Sequence, residues 1–253
     1  MTGFLRGSAT AMITPFTADG INFDSFGRMI DYQIEGGTDA LIVLGTTGEP
    51  ATMSDDEKEA LMRFAVQRAK GRVKLIFGTG ANCTEKAIAA TRHAEALGAD
   101  GVLAVTPYYN KCTQNGLVEY YKAICGATSL PVICYNVPGR TGVNILPATM
   151  ERIAQIPNMA GIKEASGNMQ QVLETARRIR GKCDLFSGED ALNLPILCAG
   201  GTAVISVVSN LVPAQVKALT ESIFAGDLAR ANLLNDAPVS YTHLRAHETL
   251  SDL

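Results

Sequence analysis

The sequence predicts a (β/α)8 barrel: eight parallel strands closed into a cylinder, with helices packed on the outside. Three observations lead there. Short apolar runs rich in β-branched residues recur along the chain and number eight, and amphipathic helical stretches separate them. The length, 253 residues, suits the roughly 250 that one such barrel needs. Strands that are apolar throughout and alternate with helices belong to a parallel sheet covered on its outer face. An open doubly wound sheet is the competing arrangement, but Gly78-Thr79-Gly80 is followed by Cys83 where a dinucleotide-binding fingerprint needs its third glycine.

The strands are expected at residues 9–13, 40–44, 74–77, 101–105, 131–134, 159–162, 184–186 and 202–206. Between them, residues 54–69 form a helix that Ser54 can cap, with Glu57 at capping-box spacing. Further helices are expected at 84–97 and 169–179, stopped by Gly98 and Gly181, and at 212–225 and 227–235.

Composition narrows the function. Nearly half the residues are hydrophobic (47%), enough for one large core. A formal charge of -3, a pI near 5.7 and no block of clustered Lys and Arg leave no electrostatic footprint for nucleic acid or an anionic membrane. No stretch approaches the roughly 20 apolar residues that span a bilayer, and residues 1–8 lack the apolar segment of a secretory signal, so a cytoplasmic protein is expected. Small molecules and copies of the chain itself are the expected partners. The six cysteines, at 83, 112, 125, 134, 183 and 198, form no CxxC pair and read as reduced, mostly buried thiols. His243 and His247, followed by Glu248, are the one helical-spaced histidine pair, without the HExxH order of a zinc protease, and His93 stands alone. With no Walker loop either, neither metal nor cofactor is expected.

Catalytic groups of a barrel sit where strands end and the following loops begin. There the sequence offers Gly45-Thr46-Thr47-Gly48-Glu49, Thr106-Pro107-Tyr108-Tyr109-Asn110, a run from Tyr135 through Asn136, Pro138 and Arg140 to Gly142, and a run from Gly161 through Lys163 to Gly167. Lys163 ends its strand, so its amine lies inside the barrel mouth or turns outward to pair with Glu164. Inside, burial would favour the neutral amine that attacks a ketone to give an imine. Position alone leaves both readings open. Tyr135, one unit earlier, is either a core aromatic or a phenol able to shuttle protons beside that imine. Thr46 and Thr47 sit on a glycine-flanked turn that can hold a carboxylate or simply lead into a helix. Arg140 is either a solvated loop residue or a bidentate carboxylate receptor. Tyr108 and Tyr109 are adjacent, so if one faces the site the other faces elsewhere, toward a subunit neighbour for example.

At these residues the chain resembles the dihydrodipicolinate synthase and N-acetylneuraminate lyase family, and within it the synthase branch. The motifs are GTTGE at 45–49, YNVPGRTG at 135–142 and GIKEASG at 161–167, and the resemblance extends from about residue 7 to 235. It implies that Lys163 forms a Schiff base with pyruvate and that Tyr135 shuttles protons in a relay with Thr47 and Tyr109. It implies that Thr46 and Thr47 hold the pyruvate carboxylate, that Arg140 receives the carboxylate of aspartate semialdehyde, and that Gly188 and Ile205 line the site through backbone carbonyls. Tyr109 would enter a neighbouring subunit's site, giving a homodimer or homotetramer, and no cofactor is implied. A sibling aldolase of sialic acid or a 2-keto-3-deoxy sugar acid, and an inactive barrel with a binding role, are the alternatives. Arg140 and the Thr46-Thr47 pair speak against the first, and the full set of motif residues against the second.

Some positions depart from the family. Pro50 follows GTTGE where a small residue is more usual. Of the positions that form a lysine-inhibitor pocket in regulated relatives, Asn82 and Tyr108 match, while Asp55, Lys58 and Lys86 stand where histidines and a glutamate are expected. The domain organisation expected is a catalytic barrel at 1–225, the start of a C-terminal helical segment at 226–237, and a tail at 238–253. The tail, with PVSYTHLRAHET, resembles translated adapter sequence more than a protein motif and is expected on the surface. The helices at 212–225 and 227–235 are then expected to expose apolar faces that longer relatives cover.

Overall fold

Strand and helix alternate along the chain as the apolar pattern requires. The computed structural model describes residues 2–242, with side chains as far as residue 236. In chain order, β1 (Gly7–Ala11) leads through a small hairpin, β2 (Phe16–Thr17) and β3 (Gly20–Ile21), to α1 (Phe23–Glu35). Then follow β4 (Ala40–Val43), α2 (Asp55–Ala69), β5 (Lys74–Gly78), α3 (Thr84–Ala96), β6 (Gly101–Val105) and α4 (Gln114–Cys125). Next come β7 (Val132–Asn136), the short α5 (Pro138–Thr141) and α6 (Pro147–Ile153), β8 (Met159–Glu164) and α7 (Met169–Ile179). The last elements are β9 (Asp184–Ser187), α8 (Asn193–Cys198), β10 (Ala203–Ser206), α9 (Pro213–Phe224) and α10 (Leu228–Thr242).

Eight of the strands close into one parallel barrel. Each pairs with the next, and β1 pairs with both β4 and β10, so no strand edge is left open. The (β/α)8 barrel expected from the sequence is therefore the fold of this chain. The period-two alternation of each strand divides the core into layers. Ala9, Ile42, Ile76, Leu103, Ile133, Phe186 and Ile205 fill the barrel interior. Their strand neighbours Leu41, Val43, Leu75, Phe77, Val102, Cys134 and Leu185 face outward against Phe26, Leu61, Leu117, Tyr121 and Val172 of the helices. Each fully buried Ile or Leu contributes about 1.5–3 kcal/mol.

Local signals read from the sequence act as expected at α2, where the Ser54 hydroxyl accepts from the Glu57 backbone N–H and the Glu57 carboxylate accepts from the Ser54 backbone N–H. Elsewhere the boundaries differ. β1 begins two residues before the predicted run, because Gly7 and Ser8 lie in register with Ala203 and Val204 although neither is apolar. The connection between β7 and β8 holds two short helices, each opened by a proline. The apolar face expected to be open on α9 is closed: Val216, Leu219 and Ile223 are buried with Leu197, Val204 and Ala231 of α10. Among the described residues, Leu228 and Leu233 of α10 and Leu211 just before α9 are large exposed apolar side chains in this region. α10 runs to Thr242, past the boundary expected at 237, and the remainder of the tail, with His243 and His247, lies outside the described residues.

Candidate active site

The candidate site lies at the C-terminal ends of β7 and β8. The two strands pair with Tyr135 opposite Lys163 and Asn136 opposite Glu164. The lysine faces inward because β8 is irregular. Val132 pairs with Met159 but Ile133 with Gly161, so β8 carries one extra residue near Ala160. Met159 and Ile162 belong to the outer layer and Ala160 to the interior, and the shifted alternation brings Lys163 into the mouth. Gly161 is required at this crossing: a Cβ there would lie 2.4 Å from the Asp184 carbonyl oxygen and 2.6 Å from the Phe186 ring.

Lys163 is 4% exposed and its Nζ lies 4.3 Å from the centroid of the Tyr135 ring, itself buried. A cation over an aromatic face is attracted to it, and burial works against the ammonium form of an amine. Gly188, just past β9, gives the lysine its space. A Cβ at that position would meet Cγ and Cε of Lys163 at 2.8 Å. Its N–H donates to the Glu164 carbonyl at 2.8 Å, holding the two strand ends together. Ile205 of β10 lies in the same interior cluster as Tyr135 and Phe186.

The other predicted residues occupy the loops around the same mouth. After β4 the chain bends through Leu44 at φ +59°, a left-handed conformation that costs a non-glycine residue about 1–3 kcal/mol. The bend leads into a single 3-10 turn, Thr46–Gly48, in which Thr47 is half-buried and Thr46 exposed. The Thr14 hydroxyl donates to the Gly48 carbonyl at 2.9 Å and ties this turn to the end of β1. Pro50 opens a second 3-10 turn, Pro50–Thr52. Arg140 is exposed on α5. Tyr109 is 89% exposed at φ +69°, turned to solvent rather than into its own barrel, and Tyr108 beside it is partly covered. Of the lysine-pocket positions, Asp55 and Lys58 pair with each other at 3.1 Å, and the Asn82 carbonyl accepts from the Asn110 amide at 3.1 Å.

Behind the mouth, on the outer face of β7 and β8, lies a polar network that sequence reasoning passed over. Glu164 is buried, and its carboxylate accepts from Asn136 Nδ2 at 3.1 Å on each oxygen, from the Ser166 N–H at 2.8 Å and from Gln171 Nε2 at 3.5 Å. Asn144 exchanges hydrogen bonds with Gln171 at 2.7 and 3.0 Å and accepts from Asn136 at 2.9 Å. The Ile145 N–H donates to Asn136 Oδ1 at 2.9 Å. Burial raises the Glu164 carboxyl above the ordinary range, against the bonds from Ser166, Asn136 and Gln171. In the sequence Asn136 stood out only as part of its strand-end run and Glu164 only as the alternative partner of Lys163.

The cysteines are all free; Cys125, Cys134 and Cys183 are buried, but Cys83 and Cys112 are partly covered and Cys198 is exposed, so half of them rather than most are buried. Burial pushes the thiols of Cys125 and Cys183 up to about 12, which makes them packing residues rather than nucleophiles. Among the described residues no group of three His, Cys, Asp or Glu side chains could hold a metal ion.

An inward lysine thus stands against a tyrosine ring at the C-terminal mouth of a closed parallel barrel. The sequence pattern of the dihydrodipicolinate synthetase family matches residues 4–250. The chain belongs to this family. The match runs past residue 235, where the resemblance was expected to end. The 4-hydroxy-tetrahydrodipicolinate synthase of Alkaliphilus oremlandii (strain OhILAs) is 50% identical over 226 residues, covering 89% of this chain and 78% of the relative. The crystal structure of dihydrodipicolinate synthase from Thermotoga maritima superposes with a TM-score of 0.95 at 43% identity, covering 98% of this chain and 85% of the other. A chloride-inhibited dihydrodipicolinate synthase from Acinetobacter baumannii, complexed with pyruvate, superposes with a TM-score of 0.94 at 38% identity, covering 96% and 84%. The family's enzymes are lyases of the class I aldolase type that act on pyruvate and aspartate semialdehyde. No described helix of this chain is long and apolar enough to cross a membrane.

Proposed function

We propose that this chain condenses pyruvate with L-aspartate 4-semialdehyde to 4-hydroxy-tetrahydrodipicolinate, the first committed step of diaminopimelate and lysine biosynthesis, through a Schiff base on Lys163. The observation that carries the reading is the enclosed Lys163 amine 4.3 Å from the Tyr135 ring centroid, on paired strands.

The neutral Lys163 amine adds to the pyruvate ketone, and the carbinolamine loses water to give the imine. Tyr135 passes the protons that this exchange requires. The protonated imine withdraws electrons from the pyruvate methyl group, which loses a proton to give an enamine. Its carbon bonds to the aldehyde carbon of aspartate semialdehyde, and the aldehyde oxygen takes a proton. The amine of that substrate then adds to the imine carbon, closes the ring and releases Lys163 as the free amine. Thr46 and Thr47 hold the pyruvate carboxylate, Arg140 holds the second carboxylate, and Gly188 and Ile205 line the pocket.

Tyr109 completes a proton relay with Thr47 and Tyr135 in a neighbouring subunit, which makes the active unit a homodimer or homotetramer. Its exposure in one chain and its left-handed backbone support that role. Residues 1–225 are the catalytic domain, and a C-terminal helical segment begins at 226–237, its helix α10 continuing to Thr242. The enzyme works in the cytoplasm.

The test is a steady-state assay of the purified protein with pyruvate and aspartate semialdehyde, the ring product being followed through its enzymatic reduction. Turnover that needs both substrates is expected. Cleavage of a sialic acid or a 2-keto-3-deoxy sugar acid, with no turnover of aspartate semialdehyde, would contradict the proposal.

A further inference from the structure

We infer that Asn136 and Glu164 are positioning residues that hold Tyr135 and Lys163 in register through a buried polar clamp on the outer face of the same two strands. The inference rests on the proposed pyruvate imine at Lys163.

The sequence puts the two pairs side by side. Asn136 follows Tyr135 and Glu164 follows Lys163, and each pair is matched across β7 and β8. Alternation then sends one pair into the mouth and the other to the back of the sheet. The clamp matters because β8 is irregular just upstream, with an extra residue near Ala160. A strand that slips by one residue turns every side chain to the opposite face, and such a slip would carry Lys163 out of the barrel. What opposes it downstream is the carboxylate of Glu164, held by both contacts from Asn136, by the Ser166 N–H and by Gln171. Every one of these partners donates, so the site is built for an acceptor on both oxygens.

The clamp also reaches the loop that follows α5, the helix carrying Arg140. Asn136 Oδ1 accepts from the Ile145 N–H, and Asn144 is held between Asn136 and Gln171. One buried network therefore joins the lysine strand, the tyrosine strand, α7 and the loop after Arg140. A carboxylate in an apolar layer is costly unless paired, and packing alone gives no reason for Glu164 to be there. Fixing the register of the imine-forming pair does.

The test compares the parent with Glu164→Gln, with Asn136→Asp and with both together. In Glu164→Gln an amide donor faces the donors of Asn136 or Ser166. In the double variant the amide of residue 164 donates to the carboxylate at 136, and Asn144 can rotate its own amide to match. The readout is borohydride trapping of the pyruvate adduct over time, counted by intact mass. The end point gives the fraction of competent sites and the rate constant reports their geometry. Each single variant is expected to form the adduct roughly 10- to 100-fold more slowly than the parent, the scale of an ångström-sized misplacement, with most of the rate recovered in the double variant. An unchanged rate constant, with or without a lower end point, would mean a merely structural role and overturn the inference, as would a double variant no faster than the singles. Should Glu164→Gln fail to fold, Gln171→Leu carries the test, with a slower rate expected at an undiminished end point and an unchanged rate overturning the inference. A parent that traps no pyruvate at all would remove the Schiff-base reading itself, an outcome distinct from any of these.

Discussion

Gly188→Ala is the substitution whose effect the structure sets most directly. The backbone at 188 is not in the left-handed region, so alanine brings no conformational penalty. Its Cβ would, however, sit 2.8 Å from both Cγ and Cε of Lys163 and 3.1 Å from Cβ of Ala165. Carbon atoms settle at about 3.5 Å or more, so the lysine stem must give way by about 0.7 Å along its length. Overpacking of this kind costs about 1–3 kcal/mol of stability, and a catalytic group displaced by about an ångström can lose roughly 100-fold in rate. The variant should therefore fold with a lowered Tm and form the pyruvate imine at least tenfold more slowly in single turnover. Gly161→Ala should be worse for the fold and for a different reason. Its Cβ would meet the Asp184 carbonyl oxygen at 2.4 Å, where backbone rather than a flexible stem has to move. Stopped-flow imine formation and thermal melts of both variants check this. Gly188→Ala at the parent's rate would refute the placement of Lys163 against that glycine.

Other outcomes follow from the same geometry. Tyr135→Phe should melt close to the parent and turn over roughly 100-fold more slowly, the usual loss for an acid–base group; undiminished turnover would remove the phenol from the mechanism. Arg140→Ala should raise the KM for aspartate semialdehyde about tenfold and leave that for pyruvate nearly unchanged, since a charge-assisted bond contributes about 1.5–3 kcal/mol and this residue is exposed; equal shifts for both substrates would refute the assignment. The raised Glu164 carboxyl predicts a pH-dependent difference in melting. A folded value above the unfolded one favours the fold at pH below the ordinary glutamate range and loses that contribution as pH rises through the folded value. The Tm of Glu164→Gln minus that of the parent should therefore grow from pH 4 to pH 8, and a difference that shrinks would contradict the shift. Free lysine at millimolar concentration should inhibit weakly or not at all, because Asp55 and Lys58 pair with each other and Lys86 adds a positive charge; a steep inhibition curve would show a pocket built from other residues.

The barrel was legible because its strands are buried on both faces and read as unbroken apolar runs separated by amphipathic helices. That same uniformity hid the irregularity in β8: Met159-Ala160-Gly161-Ile162 has no polar residue to mark which way each side chain points. The hairpin of Phe16–Thr17 with Gly20–Ile21 was not legible, being two residues a strand and largely exposed. Lys163 and Tyr135 stood out through their motifs, whereas their distance depends on a register that only the structure supplies. Asn144 and Gln171 carry no signal in the sequence, since a polar residue that closes a buried network looks there like one that meets water. The expectation for α9 failed because α10, through Ala231, covers part of its apolar face.

The account stands on Lys163 as the imine-forming amine. Incubation of the protein with pyruvate and borohydride, followed by intact mass and peptide mapping, tests it most directly. One pyruvate-sized reduced adduct per chain is predicted, located on Lys163 and absent from Lys163→Ala. No adduct, or an adduct that persists in Lys163→Ala, would contradict it.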